Sequence, residues 1–169
     1  MRKYHSVFLG TGSNLGDRAF QLKHANALIE RHIGSIRKQS KIYETGAWGV
    51  TDQPDFLNQV IEVATLCTPT EVLDKIQQIE HTMKRQRLQK WGTRTIDVDI
   101  LLYDDIFYQT ESLCIPHPYL HQRRFVLIPL VEIAPDIIHP NLGISITQLL
   151  DGCEDEMMVR PYRRVRLGK

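Results

Sequence analysis

The stretch WGTRTIDVDILLYD, Trp91–Asp104, sets two carboxylates into an otherwise apolar run. In a strand, residues i and i+2 point to the same face, about 6.6 Å apart from two rises of roughly 3.3 Å. Asp97 and Asp99 therefore share one face, and Ile96, Val98, Ile100 and Leu102 are expected on the other as core. Two like charges held this close repel and favour a cation between them. Oxygen-only ligands suit Mg²⁺, and a carboxylate pair at this spacing can bridge two ions about 3.5 to 4 Å apart. The alternative is a strand whose solvated face happens to carry two aspartates, and spacing alone leaves both open.

The segments before this strand give its partners. Tyr4 to Leu9 predicts a first strand, followed by a glycine-rich turn, GTGSNLGD, with Asp17 as the cap of a helix. Leu22, Ala25, Leu28, Ile29 and Ile33 make the apolar stripe of that helix, and Gly34 stands where a helix C-cap is expected. Ser35 to Glu44 predicts a second strand, Thr45 to Asp55 a long loop, and Phe56 to Leu66 a third strand. Thr68-Pro69-Thr70-Glu71 is a capping box with proline at the first helical position. The helix it opens carries Val72, Leu73, Ile76, Ile79 and Met83 as core, with Gln77, Glu80 and Lys84 on a neighbouring stripe. The order β-α-β-β-α-β is that of an α+β, ferredoxin-like fold, an antiparallel sheet with both helices on one face. Shorter strands and helices are expected to follow Leu102.

A chain of 169 residues fits one domain with a substantial core. Three separated cysteines, Cys67, Cys114 and Cys153, support neither a disulfide framework nor a zinc knuckle, and a reducing cytoplasm is the simplest home. The apolar run near the N-terminus is too short for a signal peptide or a membrane span. The net charge of +1 points to neither nucleic acid nor membrane. Basic residues nevertheless concentrate in KRQRLQKWGTR, Lys84–Arg94, and in the tail RPYRRVRLGK. GTGSNLG is one residue off the dinucleotide-binding spacing, and the chain has no Walker A lysine.

Five strings stand in order: GSNLGD (12–17), QPDFLN (53–58), KWGTRTIDVDIL (90–101), IPHPYLHQRRF (115–125) and PLVEIAPD (129–136). Together they resemble the 6-hydroxymethyl-7,8-dihydropterin pyrophosphokinases of folate biosynthesis, over about residues 4 to 140. The resemblance implies diphosphate transfer from ATP to a pterin alcohol, with ATP as co-substrate and two Mg²⁺ held by Asp97 and Asp99. It implies that Arg85 and Arg94 act on the phosphates in catalysis, with Arg87, His117 and Arg123 beside them. Gln77, Glu80, Trp91 and Ile100 then fall at nucleotide positions. Phe56 and Phe125 fall where two aromatics sandwich the pterin, with Asn58, Thr45, Gly46 and Trp48 along its edge. The chain departs from the usual strings at Ala47, Lys84, Lys90, Thr93 and Pro118. A monomer acting on small molecules is expected, and the tail, 150–169, has no role in this resemblance. A metal-dependent nucleotide hydrolase and a ferredoxin-like RNA-binding module are the competing readings of the same features.

Overall fold

A computed structural model describes residues 2–46, 52–83 and 95–164. The chain runs β1 (His5–Ser13), α1 (Arg18–His32), β2 (Gly34–Gln39), β3 (Tyr43–Thr45), β4 (Phe56–Thr65), α2 (Pro69–Thr82) and β5 (Asp97–Tyr103). Two short strands, β6 (Tyr108–Gln109) and β7 (Cys114–Ile115), form a hairpin. After them come α3 (Arg124–Ile133), α4 (Ile146–Asp151) and β8 (Val159–Pro161). The large sheet has the order β5-β1-β4-β3-β8, with β2 also on β4, and among the described residues these pairings are antiparallel. This is the βαββαβ arrangement read from the sequence. The expected second strand is divided, because Ser40 interrupts it. Its backbone N–H donates to Val60 O and its hydroxyl accepts from Val60 N–H, so β2 and β3 pair with different halves of β4.

Local signals set the helix starts. Asp17 accepts from Phe20 N–H at 3.0 Å, and the Thr68/Glu71 capping box is complete in both directions. Gly34 is no C-cap: it opens β2, where a Cβ would stand 2.1 Å from Ala64 O, and Ile33 ends the helix. Close backbone approach, and not a left-handed turn, is what requires glycine there.

Each face of the sheet has its own core. On one, Val7, Leu9, Ile61 and Val63 pack with Leu22, Ala25 and Ile29 of α1 and Val72, Ile76 and Ile79 of α2. On the other, Phe8 and Val60 pack with Val126, Leu127 and Leu130 of α3 and Ile146 and Leu149 of α4. Burying each such side chain contributes about 1.5–3 kcal/mol before entropy is counted. Ile96, Val98 and Ile100 join the α1/α2 core as expected, but Leu102 does not. The register of β5 on β1 shifts between Phe8 and Leu9, and the bulge puts Leu101 and Leu102 together on the α3 side.

Strand β1 is longer than its sequence implied. It continues through Gly10–Ser13, where glycines had indicated a turn. The turn proper begins at Asn14, whose side chain donates to Gln53 Oε1 at 2.9 Å and Pro54 O at 3.2 Å. That pair of bonds ties GSNLGD to QPDFLN. Among the described residues no helix is long and apolar enough to cross a membrane, and all three cysteines are free thiols.

Candidate active site

In an antiparallel pair, directly opposed residues project from the same face. The register places Asp97 opposite Gly12 and Gly12 opposite Asn58; it likewise places Asp99 opposite Gly10 and Gly10 opposite Val60. Two glycines thus separate the carboxylates of β5 from Asn58 and Val60 of β4, leaving bare backbone as a floor. Above the floor lies a hollow of about 680 Å³, counting the open space at its mouth. Asp97, Asp99, Asn58, Phe56 and Thr45 line it from the sheet, and Arg123 and Phe125 line it from the start of α3. Gly10 and Gly12 were missed in the sequence as site residues. Their alternation with Val7, Leu9 and Thr11 was the signal, a period of two that marks a strand face and not a turn.

Asn58 is 8 % exposed and donates from Nδ2 to Thr45 Oγ1 at 2.8 Å. That bond fixes the amide and leaves Oδ1 toward Gly12, where a Cβ would stand 2.9 Å from it. A methyl there would push the amide off Thr45, so glycine keeps the amide in place. Phe56 and Phe125 enter from different elements, β4 and α3, as two aromatic walls. Gly46 also borders the hollow, with nothing within 4 Å of where its side chain would be.

Arg123 is 5 % exposed, its guanidinium 4.8 Å from the Tyr119 ring centre and 5.7 Å from that of Phe125. Such stacking holds the planar cation against the hollow. His117 hangs from β5 through its backbone N–H to Leu101 O, and its Nδ1 accepts from Tyr119 N–H at 3.1 Å. A neutral ring in that arrangement carries its proton on Nε2, which makes it a donor. Burial, then the Arg123 charge, push its pKa down to about 4 against the opposing pull of Asp97.

The native state therefore binds fewer protons at His117 than the unfolded chain does between pH about 4 and 6.5. Stability is fully present above 6.5 and is lost as pH falls through this window. At pH 5 the loss is of order 2 kcal/mol. Denaturant unfolding of the wild type and His117→Gln at pH 7 and 5 checks this, since the variant should lose correspondingly less on acidification.

Glu80, 8 % exposed, accepts the N–H of Val98 at 3.0 Å. It holds the outer edge of β5 between the two aspartates. Gln77 is exposed, so the two do not share one environment despite their i, i+3 spacing. Ile100 is 4 % exposed within the α1/α2 core, so its side chain is a packing residue and does not reach the hollow. Trp48, Arg85, Arg87, Trp91 and Arg94 lie outside the described residues.

Residues 8–135 match the family model for 7,8-dihydro-6-hydroxymethylpterin-pyrophosphokinase. An Aquifex aeolicus protein named 2-amino-4-hydroxy-6-hydroxymethyldihydropteridine pyrophosphokinase is 44 % identical over 135 residues, 80 % of this chain and 84 % of that one. A Haemophilus influenzae protein of the same name is 39 % identical over 156 residues, 92 % and 97 % of the two chains. Among solved structures, a Plasmodium falciparum HPPK-DHPS superposes with a TM-score of 0.73 over 88 % of this chain and 43 % of that one. At 20 % identity that likeness speaks to the fold alone. On the family match and these two relatives, the chain belongs to the 7,8-dihydro-6-hydroxymethylpterin-pyrophosphokinase family.

Proposed function

We propose that the hollow beside Asp97 and Asp99 is where this chain carries out the family's reaction, ATP-dependent transfer of diphosphate to 6-hydroxymethyl-7,8-dihydropterin. The pterin hydroxymethyl oxygen attacks the β-phosphorus in line, the bond to the α-phosphate oxygen breaks, and AMP leaves. The observation that carries the assignment is the shared register: two carboxylates face, across two glycines, the same hollow that Asn58, Phe56 and Phe125 line.

The donor set fits Mg²⁺. Both carboxylates are hard oxygen ligands, both are partly exposed into the hollow, and no third His, Cys, Asp or Glu joins them among the described residues. A two-carboxylate share leaves most of the coordination of each ion to phosphate and water, as suits a site that must take up and release a nucleotide. When bound, Mg²⁺ supplies charge neutralisation and alignment of the triphosphate.

The remaining work falls to the chain. Asn58, oriented by Thr45, can both donate and accept along the edge of an aminopyrimidinone. Phe56 and Phe125 hold the flat ring and exclude water from it. Arg123, fixed by two rings, brings a permanent positive charge toward the phosphates, and neutral His117 offers Nε2–H without adding a titrating charge. Arg85 and Arg94, with Arg87, are assigned to phosphate charge developing in the transition state. Gln77 and Trp91 are assigned to the nucleoside side of the site, Gly46 and Trp48 to the pterin edge.

Following ATP to AMP with and without the pterin alcohol tests the reading. AMP should form only when both pterin and a divalent cation are present, one AMP for each pterin diphosphate. AMP or ADP appearing equally fast without pterin would instead make the protein a nucleotide hydrolase.

A further inference from the structure

The family match stops at residue 135, yet the chain after α4 touches both walls of the hollow. α3 starts at Arg124 with no side-chain cap from its own N-cap residue, Arg123, and no acid in its first turn. The missing acceptor comes from the tail: Asp155 Oδ2 accepts Arg124 N–H at 2.9 Å, while its Oδ1 accepts Met157 N–H at 3.0 Å. A carboxylate at a helix start satisfies an otherwise orphaned donor and complements the helix dipole. Here it does so directly between Arg123 and Phe125, two residues of the hollow.

Five residues on, β8 pairs with β3, setting Arg160 opposite Glu44 and Val159 opposite Thr45. Arg160 Nη2 donates to Glu44 Oε1 at 2.7 Å, and Arg18 Nη2 donates to Glu44 Oε2 at 2.9 Å. Burial pushes the Glu44 carboxyl up, but its bonds to Arg160 and Arg18 outweigh this and hold it below the usual carboxylate range. Arg18 also donates to Asp55 O at 2.8 Å, and Arg160 Nη2 lies 3.8 Å from Asp55 Oδ2. The same two arginines therefore grip the chain just before Thr45 and just before Phe56, both residues of the hollow.

We infer that the tail segment carrying Asp155 and Arg160 is a strap that positions the pterin-binding walls, Asp155 acting through α3 on Phe125 and Arg160 acting through Glu44 on Thr45. Neither residue lines the hollow, so each is a positioning residue. The inference rests on the assignment of this hollow to the pterin. A stacked ring and a single oriented amide tolerate little displacement of either wall, because a hydrogen bond weakens steeply once its angle opens.

The test uses the full chain with Asp155→Ala, Asp155→Asn and Arg160→Ala, measuring KM for pterin and for ATP, kcat, and calorimetric binding of 6-hydroxymethylpterin. Asp155→Ala and Arg160→Ala should each raise the pterin KM at least fivefold, with kcat within threefold and the ATP KM within twofold. Asp155→Asn, which keeps an acceptor for Arg124 N–H, should recover most of the loss. Lowered thermal midpoints with an unchanged pterin KM would overturn the inference and leave a merely structural tail. A wild-type protein that binds no pterin at all would instead overturn the site assignment itself, and this inference with it.

Discussion

Asp97→Asn and Asp99→Asn should each lower turnover at least ~10²-fold, the scale of losing one preorganised contact to transition-state charge. Asparagine keeps the volume and removes the charge, so the loss reports electrostatics and not a cavity. The floor offers no substitute, because the residues opposite are Gly12 and Gly10 and nothing acidic follows on β1 or β4 at that level. On the proposed metal assignment both carboxylates hold the same ions, so the double variant should be far less impaired than the product of the single effects. Steady-state kinetics at saturating Mg²⁺ and ATP, with circular dichroism to verify the fold, measures both quantities. Near-wild-type turnover in a folded Asp99→Asn protein would remove the metal assignment.

Asn58→Leu is expected to reduce kcat/KM for the pterin about 10²-fold or more while ATP affinity is retained. Each hydrogen bond lost against a buried polar edge costs about 1–3 kcal/mol, and leucine removes a donor and an acceptor together. The change also strands the Thr45 hydroxyl, 3 % exposed, without its amide partner, so a stability loss of about 1 kcal/mol should accompany it. Thr45→Val separates the two effects. It leaves the amide but frees its rotation, and should cost roughly tenfold at most, about the 1.4 kcal/mol of one modest hydrogen bond. Calorimetric titration with pterin and, separately, with a non-hydrolysable ATP analogue distinguishes a pterin-specific loss from general damage.

Much of this was legible in the chain because it is local. A capping box spans four residues, so Thr68 and Glu71 announce α2 with no knowledge of the rest, and Asp17 does the same for α1. The aspartate pair is equally local, since a period of two requires Asp97 and Asp99 to share a face whatever packs around them. Gly12 and Gly34 failed as turn and cap signals for one reason. Glycine marks positions that exclude a Cβ, and a neighbouring strand can impose that as well as a turn can. Simple alternation assigned Ile100 and Leu102 to one core face; it holds for Ile100, and the bulge at Leu101 breaks it for Leu102. The strap was beyond sequence reasoning, because Asp155 meets Arg124 31 residues away and Arg160 meets Glu44 116 residues away, with no periodicity to announce either.

The central claim is that Asp97 and Asp99 hold divalent ions against the triphosphate on this sheet face. Titrating Mn²⁺ into the protein with a non-hydrolysable ATP analogue, and counting bound ions by electron paramagnetic resonance, tests it most directly. Wild-type protein should bind ions tightly only when the nucleotide is present, and Asp97→Asn and Asp99→Asn should lose that binding. Equal Mn²⁺ uptake by the wild type and both variants would contradict the account.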